Sequence, residues 1–130
     1  MAVTHTTAVR TATADFIVDQ IDPGGPGKLK FRLTGSAGSP GTAAATLTFA
    51  ATAFGAASGG TATAAAITSD TNATGNASPV ATATLETAGG TVIVHCEVAA
   101  AASDINLTGG LTIGAGDTVS CSSLTYSAMP

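Results

Sequence analysis

Two hydrophobic periods divide the chain. From about Thr6 to Ile21 apolar residues recur near every 3.6 positions: Val9, Ala12, Phe16 and Ile17, with Ile21 extending the stripe. This spacing predicts one helix, with Thr6 or Thr7 as its cap. Thr11 and Thr13 weaken its intrinsic propensity, so the stripe is expected to need a packed surface beneath it. Asp22-Pro23-Gly24-Gly25-Pro26-Gly27 ends the helix, because proline cannot continue it and glycine accepts the left-handed cap.

After residue 27 the period becomes two. In Lys28 to Leu33, Leu29, Phe31 and Leu33 face one way and Lys28, Lys30 and Arg32 the other, which is a half-buried strand. Thr34 to Thr42 reads as a turn cluster and Thr46 to Phe49 as a second strand. Thr61 to Ile67 is a third strand, Ser69 to Pro79 a polar loop, and Val80 to Thr87 a fourth strand. Ala88-Gly89-Gly90 turns the chain into Thr91 to Val98, the strongest strand signal. Ala99 to Ser103 is a run of small residues, followed by a short strand at Ile105 and Leu107 and by Leu111 and Ile113. Thr118 to Ser127 reads as the last strand, although Val119 and Cys121 have the opposite parity to Leu124 and Tyr126. A bulge, or burial of both faces, would reconcile the two.

Some seven or eight short strands with turn signals every eight to twelve residues predict a mainly β fold, an antiparallel sandwich or barrel with one N-terminal helix. The 130 residues are expected to form one domain, with an arm and helix over 1–22 and the β part over 28–127. Alanine (28) and threonine (23) dominate, while Leu, Ile, Val and Phe total only 25. So few large apolar residues approach the composition of disordered chains, but 9% charged residues and a net charge of −4 are too little charge for disorder. No run of 18 apolar residues predicts a membrane span, and the first residues carry no basic-then-apolar secretory pattern. Four basic residues give no positive field for nucleic acid.

Candidate chemistry is sparse. His95 and Cys96 are neighbours on a strand and point to opposite faces, so they cannot form a nucleophile–base pair. His95 and Glu97 share a face, but two ligands do not make a metal site. Cys96 reads as a small buried hydrophobe, with a bridge to Cys121 as the alternative. Asp15, Asp19 and Asp22 lie along one side of the helix near its C-terminus, where like charge and the helix dipole both penalise them. A partner is expected for them: either the basic row Lys28, Lys30 and Arg32 within the chain, or, for one of the two rows, an oppositely charged patch on another protein. The aromatic residues all read as core. No catalytic residue, cofactor or metal is expected.

The segment Gly55-Ala-Ala-Ser-Gly-Gly-Thr-Ala-Thr-Ala-Ala-Ala-Ile-Thr-Ser-Asp70 and the run from Asp104 to Tyr126, behind an opening helix and glycine-rich turn, resemble a family of small tailed-bacteriophage structural proteins. These are capsid decoration, or cement, proteins. The resemblance implies a jelly-roll-like β-sandwich, no enzymatic activity, and a place on the capsid exterior of a virion assembled in the host cytoplasm. It implies as partners the major capsid protein and further copies of the chain, as dimers or trimers on capsid axes, and neither nucleic acid nor membrane. Attachment is expected through the N-terminal arm from Ala2 to Arg10, including Val3, His5 and Arg10, and through Lys28, Lys30 and Arg32. The alternative is another virion binding module, in a neck, tail or fibre, where host-glycan binding would be the chemistry.

Overall fold

A computed structural model of the chain describes residues 3–36, 38–100, 105–107 and 109–128. Helix α1 runs Thr7–Asp19. Thr6 caps it in an extended conformation, its hydroxyl accepting the Val9 N–H at 3.3 Å. The buried stripe shares with the expected one only Ile21 and the half-buried Ile17. Ala14, Val18 and Ile21 are buried, whereas Val9 is 49% and Phe16 67% exposed, and Ala12 also faces out. Both stripes fit a 3.6-residue period, so the spacing specified a helix without choosing its face.

Polar side chains made that choice. Thr11, Asp15 and Asp22 accept the backbone N–H groups of Gly60 (3.0 Å), Ala57 (2.7 Å) and Ala53 (2.9 Å). Turning Val9 and Phe16 inward would leave those three amides without acceptors. It also corrects the expectation for the acidic row: Asp15 and Asp22 are engaged by backbone amides, not by Lys28, Lys30 or Arg32.

Seven strands follow among the described residues: β1 Lys28–Arg32, β2 Ala43–Thr48, β3 Thr61–Thr63, β4 Thr82–Glu86, β5 Val92–Ala99, β6 Ile105–Asn106 and β7 Thr125–Ser127. Six have three residues or more, fewer than the expected seven or eight. They form an antiparallel β2-β1-β4-β5 sheet and an antiparallel β3-β7 pair; the two-residue β6 extends the larger sheet by pairing parallel to β5. The architecture is thus mainly β with one helix, although the second sheet is only a short ribbon beside α1. Of the small-residue run from Ala99 to Ser103, Ala99 ends β5, while residues 101–103, like the arm's first residue Ala2, lie outside the described residues. No helix among those described is long and apolar enough to cross a membrane.

Register explains the two faces of the main sheet. Leu29 pairs with Leu47 on one side and Leu85 on the other, and Phe31 with Ala45 and Ala83, so one face is apolar. Val18 and Ile21 of the helical segment, Phe49, Phe54, Ala62, Val80, Val98, Ile113 and Val119 complete the core over it. Phe49 and Phe54 stack at a tilt with ring centroids 5.7 Å apart. Gly27 brings the helical segment and sheet together: a Cβ there would lie 2.4 Å from Ile21 Cγ2 and 2.5 Å from the Glu86 carbonyl.

The expected long last strand is two pieces. Val119 bridges Asp70, whereas Thr125–Ser127 pairs with β3. The parity conflict between Val119 and Tyr126 therefore needs no bulge, because the pieces answer to different partners. The polar loop after Ile67 caps the β2 edge: Thr48 exchanges hydrogen bonds with Thr68, and the Asp70 carboxylate accepts the Thr46 N–H at 2.8 Å.

Candidate functional site

The opposite face of the main sheet gathers the polar residues. Alternation in β1 places Lys28, Lys30 and Arg32 there, and alternation in β4 does the same for Thr82, Thr84 and Glu86. Opposite β4, Glu97 pairs with Thr82 and His95 with Thr84. The basic row, read as half of a surface strand, thereby acquires an acidic partner in the neighbouring strand.

Glu86 is the hub, and it is 1% exposed. Arg32 Nη2 donates to its Oε2 at 2.5 Å, Thr84 Oγ1 donates to the same oxygen, and Lys30 Nζ stands 3.4 Å from Oε1. Arg32 also donates from Nε to Thr84 Oγ1 at 2.9 Å and from Nη1 to the Gly41 carbonyl at 2.5 Å. It is only 8% exposed. Two register shifts help. An extra residue in β2 opposite the Phe31–Arg32 step, and another in β5 opposite Leu85–Glu86, bend those strands and raise the twist of the sheet beside the pair.

Burial by itself pushes the Glu86 carboxyl up. The hydrogen bonds from Arg32 and Thr84 and the Lys30 charge more than offset this and hold it below its usual range. The glutamate is therefore a carboxylate at neutral pH, committed to two cations. Beside it, Thr82 Oγ1 and His95 Nε2 are buried with no hydrogen-bond partner among the described residues.

The residues expected to meet a partner divide accordingly. Val3 is 81% exposed and His5 is exposed. Arg10 is half-buried, its side chain lying along Gly60. Lys28 donates to Thr48 Oγ1 at 3.1 Å, and Lys30 and Arg32 are drawn onto Glu86. Sequence reading missed Glu86 and Thr84. The available signal was the matching parity of Thr82, Thr84 and Glu86 with the basic row, visible only once β4 is known to lie beside β1.

Cys96 and Cys121 are unbridged; Cys96, expected as a small buried hydrophobe, is half-buried and packs against the core. Burial pushes the Cys121 thiol up. A groove of about 690 Å³ runs between Leu29 and Phe31 on the sheet and Ile113, Val119, Cys121 and Leu124 of the C-terminal segment. Its wall includes Leu107 and Gly109. Among the described residues no three His, Cys, Asp or Glu side chains converge as metal ligands would.

Comparison of the chain with protein-family models, curated proteins and solved structures finds no match.

Proposed function

We propose that the chain is a non-enzymatic virion structural protein, a decoration protein that binds the outer surface of a bacteriophage head and stabilises it. On this reading the main sheet, with the helix and the β3–β7 ribbon over its apolar face, is a jelly-roll-like sandwich. The sequence resemblance motivates the proposal. The structural observation that supports it best is the distribution of exposed large apolar residues. Among those described, Val3, Val9 and Phe16 are the exposed ones, and all three lie in the N-terminal arm and helix.

A tile that holds a shell together works by burying such residues against a neighbour, and many weak copies add up to firm attachment. The polar cluster around Glu86 fits a supporting role, since Lys30 and Arg32 are drawn onto Glu86 within the sheet. The net charge of −4 suits an outer surface better than a DNA-facing one. The experiment is to mix purified protein with undecorated heads and measure occupancy and heat tolerance. Binding with raised tolerance is expected, and removal of residues 2–10 should lower occupancy. Heads that neither bind the protein nor gain tolerance overturn the proposal, and clear hits on a glycan array would favour a host-binding module instead.

A further inference from the structure

The geometry points to a specific occupant for the outward face of α1: the same face of a second copy of this chain, packed antiparallel about a two-fold axis between Ala12 and Thr13. This stands whether or not the protein decorates a head.

The outward residues Val9, Ala12 and Phe16 lie at i, i+3 and i+7. That is the narrow seam along which one helix packs on another, not the broad stripe that settles on a sheet. Two large side chains flank a small one. Val9 and Phe16 are about 10 Å apart along the helix, centred on Ala12 and Thr13. A two-fold axis there seats Phe16 of one copy on Val9 of the other and lets the backbones approach at Ala12.

Charge selects the antiparallel direction and a partner of the same kind. The first turn of α1 contains no acidic residue and the last turn no basic one. Arg10 lies in its N-terminal half, and Asp15, Asp19 and then Asp22 lie toward and beyond its C-terminus. These charges add to the helix dipole, so the element is positive at one end and negative at the other. An identical helix running the opposite way brings each negative end, with exposed Asp19, to a positive N-terminus. A parallel neighbour would set acids against acids. Such a contact is self-complementary, as a two-fold interface must be. One face of a 13-residue helix covers much less than the roughly 800 Å² per partner of a standard interface. The pair is therefore weak and reversible in solution, and gains strength wherever copies are held close together.

The test is sedimentation equilibrium of the full chain into the hundreds of micromolar, with cross-linking in a Cys96→Ser, Cys121→Ser background. The wild type should show a monomer–dimer equilibrium. Phe16→Ser should raise the dissociation constant about tenfold or more, and Asp19→Lys several-fold. Ala12→Cys and Thr13→Cys should each form disulfide-linked dimers, and Asp19→Cys should not. Ala12, Thr13, Phe16 and Asp19 are exposed, and far-ultraviolet circular dichroism checks that each variant, and the cysteine-free background, folds. A chain that stays monomeric overturns the inference, as does a dimer indifferent to Phe16→Ser or one that links through Asp19→Cys. If the chain is monomeric while Phe16→Ser lowers occupancy on phage heads, the helix face belongs to the head surface instead. The self-pairing then fails and the decoration reading stands.

Discussion

Arg32 and Glu86 lie 54 residues apart in sequence and are not opposite each other in the sheet, yet their charged groups meet at 2.5 Å. Arg32 pairs in register with Thr82, and Glu86 with Lys28. The guanidinium therefore reaches along the face of β4, over Thr84, to the far end of the strand. This accounts for a central strand in which every residue is buried although alternate side chains are polar.

Removing one partner of this pair should be costly. Glu86→Ala leaves Arg32 nearly buried without its carboxylate, and a broken buried pair is worth about 3–5 kcal/mol. Replacing both Arg32 and Glu86 by leucine should destabilise less than Glu86→Ala alone, since the one charge then left without its carboxylate, Lys30, is part-exposed and can reach water. Urea unfolding of the three proteins checks the order. A double variant less stable than Glu86→Ala would mean that the ion pair contributes net stability to this sheet.

The same pair sets the acid limb of stability. Glu86 has its carboxyl held below its ordinary value of 4.5, so the unfolded chain takes up a proton first as pH falls. The contribution is complete above about pH 4.5 and is lost as pH drops through the folded value. Stability should fall with decreasing pH in that window, and Glu86→Gln should flatten the slope there. At the alkaline end the sign reverses. The Cys121 thiol is raised above 9.0, so its contribution is present below that pH and lost above it, and Cys121→Ser should reduce that loss. Thermal melts across pH 2 to 11 report both limbs.

The three helix aspartates should behave differently despite their common spacing. Asp15→Ala and Asp22→Ala each remove the acceptor of a part-buried backbone N–H, at Ala57 and Ala53 respectively. A loss of about 1–2 kcal/mol is expected for each. Asp19 is exposed at the last helical position, where an acid opposes the dipole. Asp19→Ala should be neutral or stabilising by about 0.3–1 kcal/mol. Denaturant midpoints of the three single variants separate the roles.

Gly27 is required for space. Its Cβ would collide with Ile21 and with the Glu86 carbonyl, neither of which can withdraw without parting helix from sheet. Gly27→Ala should cost about 1–3 kcal/mol. Gly38→Ala, at a position with open space around it, should change the unfolding midpoint little.

Local pattern already carried much of this fold. The cap at Thr6, the end of the helix before Pro23, the alternation of Leu29 and Phe31 with the basic row, and the hairpin at Gly89-Gly90 could all be read from adjacent residues. Their causes are local: backbone geometry and the two-residue alternation of a strand. The division of Thr118 to Ser127 into two pieces could not be read that way, because Asp70 and β3, which claim them, are distant in sequence.

By itself the sequence determined that α1 exists, that β1 has an apolar and a basic face, and that a chain so rich in alanine and threonine builds a β-rich protein from small side chains. Only the tertiary structure decided which side of α1 is buried and what the basic row faces. In a helix with alanine on both sides, Ala12 and Ala14 give burial no preference, so distant amides at Ala53, Ala57 and Gly60 fixed the orientation through Thr11, Asp15 and Asp22. Likewise Lys30 and Arg32 met Glu86 because β4 came to lie beside β1, and strand order is a property of the packed chain that no run of neighbouring residues encodes.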